Sequence, residues 1–124
     1  MYLRENALAL LAIANDINLN ATAETVLFTC PAGKICIITH IVMCQASAAL
    51  GTASISFGWN TGSADNVIAN GSRTLTGATS YEVIVAASDA VHGVAAGTFK
   101  IDVNTAEGGA LTADFKVFGF LIEV

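Results

Sequence analysis

Residues 24–44 read ETVLFTCPAGKICIITHIVMC, and this stretch decides the fold. It consists of a short apolar run, a compact turn at Pro31–Lys34 and a longer apolar run. Proline presets φ at one position of the turn, and Gly33 supplies a positive φ two residues later. The stretch therefore predicts a β-hairpin. Its longer strand is apolar on both faces, which predicts a central strand covered by two layers.

Short segments with alternating apolar and polar residues recur along the rest of the chain, separated by turn signals. No segment has the length and amphipathic period of a helix. About eight such strands predict an all-β, single-domain antiparallel β-sandwich, although periodicity alone does not separate a jelly roll from an immunoglobulin-like topology. Residues 24–124 make up this domain. Residues 1–23 are predicted to form an N-terminal arm or a first strand. As an arm, they could pack on a neighbouring subunit.

The last part of the chain, residues 98–124, predicts a second hairpin with a glycine-rich turn. Its register leaves two ion pairs open. Either Lys100 faces Asp114, or Asp102 faces Lys116.

The end of the chain breaks this alternation, because large apolar residues continue the face that the charged residues began. Either a bulge at Gly119 reverses the register, or the strand is buried on both faces. The second alternative places the strand in a subunit interface. The predicted interface residues are apolar side chains from both ends of the chain: Leu10, Leu11, Phe118, Phe120 and Ile122.

The composition favours self-association. Apolar residues make up 54% of the 124 residues and charged residues only 12%, about half the usual share. So few charges leave apolar surface that further copies or another protein would cover. The net charge is −5 and the five basic residues are scattered, which argues against nucleic acid and anionic membrane as partners. No apolar run is long enough for a transmembrane helix.

Three cysteines, Cys30, Cys36 and Cys44, leave one without a partner, which argues against a disulfide framework and mildly for a reducing compartment. Cys36, His40 and Cys44 are spaced by four residues, which would align three metal ligands on a helix. In a strand four residues span about 13 Å, so these side chains cannot share one ion. We therefore predict no metal site.

No catalytic or cofactor-binding constellation stands out. The two histidines, His40 and His92, are far apart in the sequence, and no nucleophile-elbow motif is present. The loop residues Asn60, Asp65 and Asn66 resemble calcium or sugar ligands, but ordinary turn chemistry is the favoured interpretation. The residues therefore predict a protein that is not an enzyme.

Two stretches carry a family resemblance. Residues 24–34 (ETVLFTCPAGK) with 37–42 (IITHIV), and residues 113–121 (ADFKVFGFL), resemble the opening and closing segments of small β-rich structural proteins of tailed bacteriophages. Cys30 stands where those proteins usually have valine. Together the stretches cover roughly a quarter of the chain.

The resemblance implies a virion component, assembled in the host cytoplasm and without catalytic residues. A capsid decoration (cement) protein is the favoured form: a jelly-roll-like homotrimer bound to the shell of the major capsid protein. The alternative is a tail- or fibre-associated module that binds carbohydrate or a receptor. That alternative calls for exposed aromatic residues, whereas Trp59 and Tyr81 have the spacing of core residues.

Overall fold

The computed structural model describes residues 7–124, which form eight strands in two antiparallel sheets. Sheet I has the strand order β1-β8-β3-β6 and sheet II the order β2-β7-β4-β5. The strands are β1 (Ala9–Asn18), β2 (Glu24–Thr29), β3 (Lys34–Cys44), β4 (Ser54–Gly58), β5 (Ile68–Ser72), β6 (Tyr81–Val85), β7 (Thr98–Thr105) and β8 (Thr112–Glu123). The predicted all-β sandwich is confirmed, and its strand order is that of a jelly roll.

The core lies between the two sheets. Alternate residues of facing strands meet there, and three phenylalanine rings occupy its centre. The ring of Phe57 lies 6.2 Å from that of Phe99 and 5.9 Å from that of Phe115, centroid to centroid. Phe57 and Phe99 belong to sheet II and Phe115 to sheet I, so this cluster joins the sheets. Burying three aromatic side chains contributes several kcal/mol, roughly 1.5–3 kcal/mol for each.

The stretch that decides the fold is not a hairpin. The turn after Cys30 forms as predicted, with Gly33 at a φ of 74°. However, β2 pairs with β7, while β3 pairs with β8 and β6, so the turn carries the chain from sheet II to sheet I. Within residues 7–124 only one face of β3 is covered, because its other face is the outside of sheet I. Strands β2 and β3 are both apolar because β2 contributes to the core from sheet II and β3 contributes to it from sheet I.

A disulfide spans this turn. Cys30 and Cys36 are bonded, with their Cα atoms 6.1 Å apart, and both are buried. The expectation that the cysteines are unpaired is therefore wrong, and Cys44 alone is free. The odd count did not exclude one bond, because a tight turn holds these two residues within bonding distance.

The same cysteines anchor the connection between β6 and β7. Cys36 and Gly93 exchange two backbone hydrogen bonds of 2.9 and 2.8 Å. Cys30 donates to the carbonyl of Gly97 at 2.8 Å and accepts from the amide of Ala96 at 3.0 Å. One end of the sandwich is thus closed by a segment bonded to both halves of the disulfide.

The predicted hairpin of residues 98–124 is also wrong. Lys100 and Asp102 lie on β7 in sheet II, and Asp114 and Lys116 lie on β8 in sheet I, so neither predicted ion pair forms. The two strands pack face to face through their apolar sides instead of pairing edge to edge, because each side contributes to the shared core.

The alternation of β8 does not change at Gly119. Buried and half-buried residues alternate from Thr112 to Phe120, so the predicted bulge at Gly119 does not form. Burial of the other face in a subunit interface stays a prediction. The register shifts lie in the neighbouring strands instead, between Ile38 and His40 in β3 and between Leu10 and Ala12 in β1. Gly119 faces inward, and a Cβ there would overlap the carbonyl oxygen of Ile37.

Candidate interaction surface

The outer face of sheet I is apolar across all four strands. Cross-strand partners in an antiparallel sheet place their side chains on the same face, so the register groups the outward residues into rows. One row contains Leu10, Phe118, His40 and Val85, from β1 to β6. The next row contains Ile13, Lys116, Val42 and Val83.

The first row is centred on two stacked rings. The His40 imidazole lies parallel to the Phe118 ring, with 4.7 Å between centroids. Thr39 supports the pair, because its hydroxyl lies 3.0 Å from Nδ1 of His40 and donates to the carbonyl of Phe118 at 3.2 Å. At the two ends of the row, Leu10 and Val85 are exposed, Val85 at 70%. A stacked histidine–phenylalanine pair, tied to the backbone through Thr39, therefore occupies the centre of the face.

The second row has one charge among apolar side chains. Lys116 lies between Ile13 and Val42, and no carboxylate of the described residues forms an ion pair with it. Its Nζ lies 3.6 Å from the Sγ of Cys44. Ile13 and Val83 at the ends of the row are about half exposed. A lysine can keep its stem on apolar surface and its ammonium in water, so it does not disrupt this face.

The apolar face extends beyond these rows in both directions. Toward the Pro31–Lys34 turn, the paired residues Ile37 and Phe120 continue it, followed by Ile35 and Ile122. At the opposite end, Cys44 of β3 lies between Asp114 and Tyr81, and the Tyr81 side chain is 70% exposed.

Strand β6 reverses the usual placement of charged and apolar residues. Glu82 pairs with the buried Met43 and therefore points inward, while Tyr81 and Val83 point outward. Glu82 is compensated at the sheet edge, since its carboxylate accepts from Nη1 of Arg73 at 3.2 Å and from the amide of Thr74 at 3.3 Å. The core-like assignment of Tyr81 is therefore wrong. Alternation alone could not decide which side of this strand faces the core.

The structure brings four of the five predicted interface residues together. Leu10 and Phe118 are direct partners, and Phe120 and Ile122 follow on the same outer face. Leu11 is different, because it packs against the core at the register shift in β1. Sequence reasoning missed the half of the face that β3 and β6 contribute. The available signal was the apolar outward side of β3, which was interpreted as a second buried layer.

The outer face of sheet II is polar. Asn104 donates to the hydroxyl of Ser56 at 2.9 Å and to the side-chain oxygen of Asn70 at 3.0 Å. Ser56 is buried, although it points away from the core. Hydrogen bonds between side chains thus cover this part of the sheet.

Lys100 is the most enclosed charge on that face. It is only 7% exposed, and its ammonium donates to the carbonyls of Trp59 and Thr98 at 3.1 and 3.0 Å and to the Thr98 hydroxyl at 3.1 Å. The connection between β4 and β5 lies over it, tied down by the bond from the amide of Ala64 to Glu24. All three donors of the ammonium are thereby satisfied.

Two carboxyl groups of the sheet II side shift in opposite directions. Burial, the neighbouring charge of Glu24 and the charge of Asp65 raise the pKa of Asp102, against one opposing backbone hydrogen bond. Partial burial acts the same way on Glu107. However, the amides of residues 51–53 donate to its carboxylate, and together they lower its pKa below the ordinary value.

The candidate ligand residues of the sequence do not converge. Cys36 faces the interior in its disulfide, whereas His40 and Cys44 lie on the outer face. Asn60 and Asp65 bond to each other at 3.0 Å, as expected of turn chemistry. Residues 7–124 contain no cluster of metal-ligating side chains and no detectable pocket. Within the same residues no helix is long and apolar enough to cross a membrane.

No protein-family model fits the chain, and no curated protein is significantly similar to it.

Proposed function

We propose that the chain is a non-enzymatic structural protein of a tailed-phage virion. In its favoured form it is a capsid decoration (cement) protein, a homotrimer that binds the shell of the major capsid protein. The observation that carries this proposal is the apolar outer face of sheet I. A contiguous apolar face of this kind marks a protein interaction site, as expected of a subunit that works within an assembly. The resemblance of residues 24–34, 37–42 and 113–121 to phage structural proteins supports a role in a phage particle.

The stabilising action follows from linkage. A protein that binds the assembled shell but not its dissociated subunits shifts the equilibrium toward the shell. No catalytic group is needed for this action, only a rigid scaffold and a surface that fits. The two-sheet core and the disulfide at one end of the sandwich provide such a scaffold.

A binding experiment tests the proposal. Shells are assembled from the major capsid protein of the phage that encodes this chain, without the chain itself, and are sedimented with the purified protein. We expect the protein to pellet at a fixed ratio to the capsid subunits and to raise the temperature at which the shells break. A protein that stays in the supernatant at high micromolar concentration would overturn the decoration function.

The second candidate is a carbohydrate- or receptor-binding module of the tail or fibre. The exposed Tyr81 favours it, because aromatic rings in water are common contacts for sugars. A glycan array probed with the intact protein distinguishes the two functions. Specific glycan binding that Tyr81→Ala abolishes, combined with no binding to shells, would establish the second candidate.

A further inference from the structure

We infer that copies of this chain associate through the outer face of sheet I, so that the occupant of this face is the same face of neighbouring copies. The inference rests on the proposed function and deepens it, because it identifies the surface that joins the copies. The half formed by β1 and β8 and the half formed by β3 and β6 both take part.

The size of the face fits an interface between copies. Nine residue steps separate Ile35 from Cys44 on β3. With steps of about 3.3 Å and strands about 4.8 Å apart, the four strands present roughly 450 Å² in projection. Protruding side chains increase this area. For a whole face buried against one partner, the value approaches the ~500 Å² that each partner buries in an interface of ~1,000 Å², the lower bound for specific association. A ring of three divides the same area between two neighbours.

The composition of the face points to a partner that is always present. Its two central rows contain six apolar side chains, His40 and Lys116. Depletion of charge at the centre is typical of homo-oligomer interfaces, and permanent interfaces resemble a domain core cut in half. A partner met only late in assembly would leave this face in water until then, at the risk of aggregation. A second copy is available wherever the chain is made.

The arrangement of the face is compatible with three copies. When three faces turn toward a common axis, the β1/β8 half of each copy contacts the β3/β6 half of the next. Such a head-to-tail contact closes into a ring of three when each junction turns the next copy by one third of a full turn, and otherwise it gives an open filament. Leu10 and Phe118 of one copy then approach Val83 and Val85 of its neighbour.

The test combines a charged variant of the face with a matched control. Val83→Asp/Val85→Asp places two carboxylates on the proposed interface, and Val26→Asp places one on the outer face of sheet II. Val26 is 51% exposed and Val83 49%, so the two sites are equally accessible. Light scattering after size exclusion should give three chains of 12.7 kDa for the wild type and for Val26→Asp. It should give one chain for the double variant.

Cys44 provides a second measurement on the unmodified protein. It is the free cysteine and lies on the proposed interface, next to Tyr81. Its thiol should react with a maleimide at least tenfold more slowly in the oligomer than after dilution to monomer. The single variant Val85→Lys, checked for its β-sheet circular dichroism, replaces the double variant if that one does not fold.

The outcomes separate this inference from the proposed function. A wild-type monomer at high micromolar concentration overturns the inference, as does an oligomer that the face variants leave intact. Loss of the oligomer in the face variants, but not in Val26→Asp, supports the inference. If the wild type is a dimer that the face variants dissociate, the interface is confirmed and the number of copies is two instead of three. If a monomeric wild type still binds shells, the inference fails and the decoration function stands.

Discussion

The two outer faces of the sandwich differ in polarity and in how far other residues of the chain cover them. The outer face of sheet II is polar and completed within the chain, since Lys100, Ser56 and Asn104 find hydrogen-bond partners in neighbouring strands and in the β4–β5 connection. The outer face of sheet I is apolar and open, and its side chains find no cover among the described residues. Both sheets contribute equally to one core, so the fold does not require this asymmetry.

The difference shows that alternation is an ambiguous signal when both sides of a strand are apolar. In β6 the inward side contains Glu82 and the outward side Val83 and Val85. In β7 the outward Lys100 is nearly as buried as the core. Substitutions on the two faces test this contrast, and substitutions in the interior and at the disulfide set the scale against which it is measured, beginning with the largest expected effect.

The largest effect is expected at Gly119, on the inner side of sheet I. In Gly119→Ala the new Cβ would overlap the carbonyl oxygen of Ile37, and backbone cannot yield as a side chain does. We expect a loss of about 3 kcal/mol or more in the free energy of unfolding, measured by urea denaturation. Gly108→Ala is the control, because its added methyl meets no neighbour. Equal midpoints for the two variants would contradict the close approach of β8 to β3.

The same substitution should destabilise the protein on the outer face of sheet II and change its stability little on the outer face of sheet I. Lys100→Met leaves the carbonyls of Trp59 and Thr98 without their donor, and we expect it to cost about 1–3 kcal/mol. Lys116→Met removes a charge that has no ion-pair partner among the described residues, and stability should change little. Thermal unfolding followed by circular dichroism measures both. Similar losses in both variants would mean that the two faces are not energetically distinct.

Opening the disulfide should affect one end of the sandwich without distinguishing the faces. Cys30→Ser/Cys36→Ser removes a short closed loop, which is worth about 2 kcal/mol. The amides of Gly93 and Ala96 should then exchange hydrogen faster, because they bond to the backbone of these cysteines. Cys44→Ser is the control and should leave both the stability and the exchange unchanged. Unaltered exchange in the double variant would show that the β6–β7 connection holds without the bond.

The smallest effects are expected from the two shifted carboxyl groups. The pKa of Asp102 is raised above 3.8, so the fold favours its neutral form and stability is lost as the pH rises through the raised value. Asp102→Asn should therefore be more stable than the wild type at pH 7, with a gain that disappears in acid. The pKa of Glu107 is lowered below 4.5, so its ionised form adds stability that is lost as the pH falls through the lowered value. Glu107→Gln should accordingly be less stable at pH 7, and melting temperatures from pH 3 to 8 measure both trends.

The sequence was sufficient for the strands and the fold class, because these depend on local pattern. The alternation around Phe57 and Phe99 and the turn at Gly33 were correctly interpreted. Strand pairing was not predictable in the same way. Consecutive strands were assigned to hairpins, whereas of the consecutive pairs only β4 and β5 are hydrogen-bonded to each other.

The candidate surface was predicted in part. Phe118, Phe120 and Ile122 were identified because they break the polar pattern of β8. Val83 and Val85 were not, since their membership depends on β6 lying beside β3 and on the Arg73 contact that lets Glu82 point inward. The pairing of β6 with β3 joins residues about 40 positions apart, so it cannot be predicted from a local sequence pattern.

The position of β8 has a consequence for the order of folding. This strand lies between β1 and β3, and its pairing with β1 joins residues about a hundred positions apart, such as Ala9 and Gly119. Sheet I therefore cannot form on the ribosome before residues 112–123 have been synthesised. Closing so long a loop costs conformational entropy before the stabilising contacts form, and this makes folding slow, as in other proteins of high contact order. The four strands of the apolar face are thus joined only after β8 has been synthesised and has paired with both β1 and β3.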